Sequence, residues 1–241
     1  SHSTEKASAG YYEVTLADDD IRCRLTATPH TGVHQYIFRQ GAVQRLIVDM
    51  LHGIYNYDGK TLWSSIRVED EYTITGHRIT NGWARENYTY FARKFSKPIK
   101  NYGYKDMKKP PYMGFMRKLN IYSNFPEIAG RDVVAWFEFD NADTTLEVQV
   151  ALSAVSSEGA IANLKAESHG SFEETRMATL KAWNDELGQI ECEGTDDEKT
   201  MLYTAFYHTM INPSVYQDVT GLYRGLDGNI HKAEGFTNYT V

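Results

Sequence analysis

From Tyr12 to Leu152 the apolar residues of this chain recur at every second position in short runs, with no helical period between them. Such alternation puts successive side chains on opposite faces of an extended backbone, so each run reads as a strand with one dry and one wet face. Ile21, Cys23, Leu25 and Ala27 alternate with Arg22, Arg24 and Thr26, and Tyr12, Val14 and Leu16 alternate just before them. Asp18-Asp19-Asp20 lies between the two runs and supplies turn-forming side chains, so the pair predicts a β-hairpin. The same reasoning predicts strands over 33–38, 45–50, 61–69, 71–78, 88–95, 133–139 and 145–152. Gly41, Gly53, Gly59, Gly76 and Gly82 fall between or beside them. Many short strands with glycine-marked turns point to a mainly β fold, an antiparallel β-sandwich.

Residues 101–126 break the pattern. Tyr102, Tyr104, Lys105, Lys108, Lys109, Pro110, Pro111 and Tyr112 crowd together there, and two adjacent prolines oppose regular pairing. Both a long surface loop and a basic, aromatic lip beside a ligand groove fit that composition.

At Ser153 the period changes. Ala160, Ile161, Leu164 and Lys165 predict a short helix. Ser171 and Glu174 have capping-box spacing ahead of Phe172, Met177, Leu180, Trp183 and Leu187, a rough helical stripe that stops at Gly188. Thr195 and Glu198 form a second capping box, followed by Leu202, Ala205, Phe206, Thr209 and Met210 on one helical face. That helix must end before Pro213. A strand block followed by a helix block implies separate layers rather than a βαβ sheet.

Composition narrows the function. Hydrophobic residues are 41% of 241, enough for a real core, so wholesale disorder is ruled out. The net charge of −7 makes the chain a poor partner for nucleic acid. No apolar run approaches the roughly 20 residues of a membrane span. Cys23 and Cys192 have no metal-ligand spacing and read as two buried thiols, with a disulfide between them as the alternative. Aromatics reach 13%, which suits β packing and also the stacking of rings on sugars. Neither Met nor a signal peptide opens the chain; Ser1-His2-Ser3 fits a tag remnant or native sequence cut within a longer polypeptide.

Chemical motifs are few. His30 and His34 are four apart, but beside Pro29 and Gly32 they sit in strand-and-turn sequence and are read as non-metal. Asp140 with Asp143, and Asp196 with Asp197, are better explained by turns and helix N-termini than by acid–base work. The most unusual stretch lies past the last helix, in Tyr223-Arg224-Gly225-Leu226-Asp227-Gly228 and Gly235-Phe236-Thr237-Asn238-Tyr239-Thr240. Loops at helix ends collect binding residues. Arg224 has the planar fork to hold a carboxylate or several hydroxyls, or it pairs with Asp227 and braces the loop; the two readings stand level.

Taken in order, several strings resemble glycoside hydrolase family 92. They are Gly10–Leu16, Leu25-Thr26-Ala27-Thr28-Pro29 with Gly32 and His34, and Gly82-Trp83-Ala84-Arg85. Ser153 to Leu164 fits the family pattern S-x-V-S-x-E-G-A-x-x-N-L. Trp183-Asn184, Leu187-Gly188, Thr204–Met210, the Tyr223–Gly228 loop and Glu234–Val241 continue the resemblance. Asp18–Asp20 departs from the more usual Asp-Tyr-Gly, Leu226 stands where Met is common, and 105–118 carries no family motif.

The resemblance implies a sandwich over 1–152, a helical linker over 153–190, and the first helix of an (α/α)6 catalytic barrel over 191–241. It implies calcium-dependent, exo-acting, inverting hydrolysis of α-mannosides, often on N-glycans, by an exported bacterial enzyme in the periplasm or outside the cell. The family's acid Glu and base Asp come from later barrel segments, so no catalytic residue and no metal ligand is expected in this chain. Tyr223, Arg224, Asp227 and Asn238 are the expected substrate-binding residues, at the mouth of the sugar site. Mannose-containing glycans and further segments of the same polypeptide are the expected partners. The last helix is expected to show an apolar stripe that this chain does not cover, leaving it oligomeric, aggregation-prone or bound to such segments. A carbohydrate-binding sandwich without turnover and a purely structural support are the alternatives.

Overall fold

The computed structural model describes residues 2–53, 55, 57–106, 126–168 and 170–240. A 3-10 turn, His2–Thr4, precedes β1 (Lys6–Ser8), β2 (Tyr11–Leu16), β3 (Ile21–Ala27) and β4 (Thr31–Ile37). These run as an antiparallel meander. β5 (Gln44–Asp49) leaves for a second sheet, and β6 (Thr61–Val68), β7 (Thr73–Thr80) and β8 (Asn87–Phe95) form a second meander. β9 (Ile99–Asp106), β10 (Glu127–Gly130), β11 (Val133–Phe139) and β12 (Thr145–Ser153) follow. β12 inserts between β4 and β8, joining the two meanders into one sheet ordered β1-β2-β3-β4-β12-β8-β7-β6-β10. The opposing sheet is β5-β11-β9.

The core lies between these sheets. Ile66, Ile74, Phe91, Phe95, Leu146 and Val148 from the large sheet meet Val48, Val133, Ala135, Phe137 and Phe139 from the small one. Phe95 lies 4.8 Å from Phe139 and 6.0 Å from Phe137, ring centre to ring centre. Each such buried ring contributes on the order of 2 kcal/mol by leaving water. The sandwich expected from the alternation is therefore present, and the β2–β3 hairpin pairs Leu16 with Ile21 across the aspartate turn. His34 lies in this interior, and burial with the nearby Arg93 charge pushes it down to about 4. Its Nδ1 lies 2.8 Å from the Tyr36 hydroxyl.

Two features differ from expectation. The start of the 101–126 stretch is not loop but β9, whose Tyr102 and Tyr104 pack on the core side by side with Phe137. The exposed Lys100 and Asn101 disguised the alternation. The proline-rich remainder, and with it the basic lip, lies outside the described residues. Cys23 is buried as expected, whereas Cys192 is only half-buried, and both are free thiols.

Three helices follow. α1 (Ser157–Glu167) starts at the Ser156 cap, whose hydroxyl accepts from the Gly159 amide at 3.0 Å. It packs Ala160, Leu164 and Ile161 on the outer face of the large sheet, over Ala92 and Ala151. α2 (Phe172–Leu187) and α3 (Asp196–Thr209) each carry the anticipated capping box. On α2 the buried residues are Phe172 and Thr175, and Thr179 donates to the Ala27 carbonyl at the end of β3 at 2.8 Å, while Met177 is exposed. Arg24 of β3 fills that junction, stacking 4.7 Å from the Phe172 ring centre and bonding to Glu173. No residue of α3 is buried; Met201 and Leu202 are exposed, and Tyr207 meets Trp183 of α2 at 4.7 Å. The chain closes on a hairpin, β13 (Leu222–Arg224) with β14 (Ile230–Lys232). No helix among the described residues is long and apolar enough to cross a membrane.

Candidate functional site

The terminal hairpin is built around Asp227. Its carboxylate accepts from the Asn229 amide at 3.0 Å and faces His231 Nε2 at 2.9 Å. Those bonds, His231 first and Asn229 second, hold it down to about 2. The turn can tighten this far because residue 225 is glycine: a Cβ there would sit 2.6 Å from Asp227 Oδ1 and from the His231 ring. Tyr223 packs its ring against His231 and, edge-on, against Phe236.

Arg224 is tied to backbone and ring groups. It makes no ion pair with Asp227. Its Nε donates to the Ala154 carbonyl at 3.0 Å, Nη2 to Val155 at 3.1 Å and Nη1 to Gly228 at 2.9 Å. Its guanidinium lies over the Tyr88 ring, 4.4 Å from the centre. Three of five donors are thus spent on backbone carbonyls, and the residue ties the hairpin to the β12–α1 turn and to the start of β8. Asn238 is half-buried; its backbone amide donates to Gln217 Oε1 at 2.7 Å, and its carbonyl accepts from Tyr216. The hairpin gathers Tyr223, Arg224 and Asp227, and Asn238 belongs to the strand-like segment that returns beside it through the Val215–Tyr239 bridge.

Beneath the hairpin is a buried carboxylate that the sequence reading missed. Asp218 is 2% exposed and accepts from Ser153 Oγ and Asn163 Nδ2, both at 2.8 Å. Asn163 also donates to the Leu152 carbonyl and accepts from the Val219 amide. The string from Ser153 to Leu164 therefore has a physical meaning: Ser153 and Asn163 hold Asp218, Ser156 caps α1, Gly159 leaves room for the carboxylate, and Ala160 and Leu164 face the sheet. Asp218 lies 55 residues beyond Asn163, so no local spacing announced it. A second anchor, His30, lies between Glu167 Oε1 at 2.5 Å and the Gln217 carbonyl at 2.7 Å.

The loop between β7 and β8 presents Trp83 fully to solvent, as the hairpin presents Leu226. An exposed indole beside polar groups can cover the apolar face of a pyranose. The local carboxylate pairs do structural work instead: Asp143 pairs with Lys97 at 2.6 Å, Asp140 accepts from Ala142, and Asp196 and Asp197 lie in the first turn of α3. No group of three or more His, Cys, Asp or Glu side chains among the described residues gathers so as to hold a metal ion. Asp227 is the one carboxylate among Tyr223, Arg224, Asp227 and Asn238, too few hard oxygen ligands for calcium, so these residues do not fit it by themselves.

The sequence model of the glycosyl hydrolase family 92 N-terminal domain matches residues 1–153, and that of the family 92 catalytic domain matches residues 159–241. The chain belongs to glycosyl hydrolase family 92. Among solved structures, a family 92 α-mannosidase from Bacteroides thetaiotaomicron is similar, with 34% identity and a TM-score of 0.88. It covers all of this chain, which covers 31% of it. The same protein has been solved in complex with mannoimidazole. A family 92 inverting mannosidase from the same organism is 27% identical over the whole chain, with a TM-score of 0.80. No curated protein matches. The chain thus spans about a third of the length of the mannosidases it resembles, as the sandwich followed by the opening helix of the family 92 barrel.

Proposed function

We propose that this chain is the sandwich, linker and first barrel segment of a calcium-dependent, inverting exo-α-mannosidase that trims mannosides or N-glycans outside the cytoplasm. The observation that supports this most is the 34% identity, over every residue, to an α-mannosidase whose structure has been solved with mannoimidazole. Inversion needs two carboxyl groups about 6.5–9.5 Å apart across the scissile bond, with room for a water. In this reading acid and base come from other segments of the enzyme, as do the calcium ligands. This chain supplies part of the wall of the mouth. Asp227, ionised through the acid range, accepts from sugar hydroxyls; the Trp83 indole stacks on a pyranose; Arg224 holds the hairpin at that mouth; Tyr223 and Asn238 line it.

Mannose release from α-mannosides, followed by NMR of the first anomer formed, tests the reading on the enzyme that contains this chain. β-Mannose is expected first. Glycan binding without turnover would favour the sugar-binding module instead. Alanine at Asp227 or Trp83 is expected to lower kcat/KM without lowering Tm; unchanged kcat/KM for both would remove the hairpin and the loop from the site. The 241-residue chain alone is expected to release no mannose.

A further inference from the structure

We propose that His30 is a positioning residue that acts by its charge: an imidazolium set between Glu167 and the Gln217 carbonyl docks the 214–240 segment on the sandwich, and the docking loosens as pH rises. The geometry carries the argument. Nδ1 faces a carboxylate oxygen at 2.5 Å and Nε2 faces a carbonyl oxygen at 2.7 Å. Both are acceptors only, and a neutral imidazole has a single N–H. Only the protonated ring satisfies both.

The surroundings agree on sign. From α1 comes the Glu167 carboxylate, which also accepts from the His30 amide at 2.9 Å and from the Thr28 hydroxyl of the β3–β4 turn. From the 214–221 segment come the Gln217 carbonyl and the Asp218 carboxylate. From β12 the Leu152 amide bonds the His30 carbonyl, fixing the turn. The Glu167 bond raises His30 above its ordinary value, with burial opposing and Gln217, Glu167 and Asp218 assisting. A raised histidine contributes stability fully present below about 6.5 and lost as pH climbs through its higher folded value. On losing the proton the ring keeps at most one of its two donor bonds.

The loss propagates along the segment. Gln217 holds the Asn238 amide through Oε1, while Tyr216 donates to Asn238. Asp218 remains anchored by Ser153 and Asn163, so the effect is local loosening rather than unfolding. The Asp218 and Arg224 anchors hold the segment independently of His30; the bearing of the His30 contact on sugar binding rests on the reading of the hairpin above.

The test follows His30 by NMR in the whole chain and measures hydrogen-exchange protection of the Tyr216, Asp218 and Asn238 amides from pH 6 to 9. A His30 midpoint above 6.5 is expected, with protection falling about tenfold through that midpoint, as for loss of one charge-assisted bond. His30→Gln should flatten the pH dependence, and Glu167→Gln should move the midpoint down. A midpoint at or below 6.5, protection that ignores the midpoint, or the same dependence in H30Q would overturn the proposal. Should H30Q fail to fold, the unsubstituted chain's titration still decides. Absence of mannosidase activity would leave this result untouched.

Discussion

The carboxylate of Asp218 occupies the space that a side chain on Gly159 would need. A Cβ at residue 159 would lie 2.2 Å from Asp218 Oδ2 and 2.7 Å from Ser153 Oγ. The neighbour is not a free surface group but a buried carboxylate fixed by two hydrogen bonds, so it has little room to yield.

Gly159→Ala is accordingly expected to destabilise the chain by about 2–4 kcal/mol, even though alanine is the better helix former by about 1 kcal/mol. Denaturant melts check it. A stabilised G159A chain would mean that the Asp218 socket is looser than the structure has it.

Arg93 of β8 shares the core-facing side of the sheet with its partners Ile74 and Val150. Its Nε is buried without a hydrogen-bond partner, and no ion pair reaches it among the described residues. Residues 107–125 contain no Asp or Glu to neutralise it. An unpaired charge held out of water costs free energy that an apolar side chain of similar reach does not. Arg93→Met should therefore raise stability by about 1–2 kcal/mol, seen as a higher Tm. A lowered Tm would count against this.

Glu13 on β2 is 6% exposed and receives Arg22 at 2.7 Å, with the Tyr11 hydroxyl and Lys6 beside it. The Arg22 bond, then Tyr11, hold its carboxyl down at about 2. A depressed carboxyl stabilises above its ordinary 4.5 and loses that contribution as pH falls toward 2. Glu13→Gln should cost about 1–2 kcal/mol at pH 7, the range of a charge-assisted bond partly open to water. Parallel melts should converge on the unsubstituted chain between pH 4.5 and 2.

Ser171 and Thr195 each accept from a third-residue glutamate amide while that glutamate returns a bond. Alanine at Thr195 should unwind only the exposed α3 start, seen as a loss of helical circular dichroism with little change in the sandwich transition, at about 1 kcal/mol. Coincident loss of both signals would show α3 to be tied more tightly to the sheets than its exposure implies.

What the sequence revealed depended on distance along the chain. The alternation through Ile21, Cys23, Leu25 and Ala27 and the two capping boxes are local patterns, and each appears where expected. β9 escaped because its inward residues are tyrosines, whose hydroxyls make a buried face look polar, amid lysines. The Arg224 contacts escaped for a different reason: its partners are backbone carbonyls 69 and 70 residues away, and carbonyls have no sequence signature. The resemblance did identify the stretch from Ser153 to Leu164, yet only the fold shows that two of its polar members, Ser153 and Asn163, converge on a single distant aspartate.

Ala92 and Ala151 pair across β8 and β12, and both lie wholly inaccessible under α1. Their opposite faces carry Phe91, Phe95 and Val148 into the sandwich. The backbone ladder between these two strands is thus roofed on one side and floored on the other, far from any edge of the sheet. Because β12 alone links the two meanders, the sheet can open as two halves only by losing one of the two ladders of β12, and the amides of the roofed and floored one are those from which deuterium should be last to displace hydrogen.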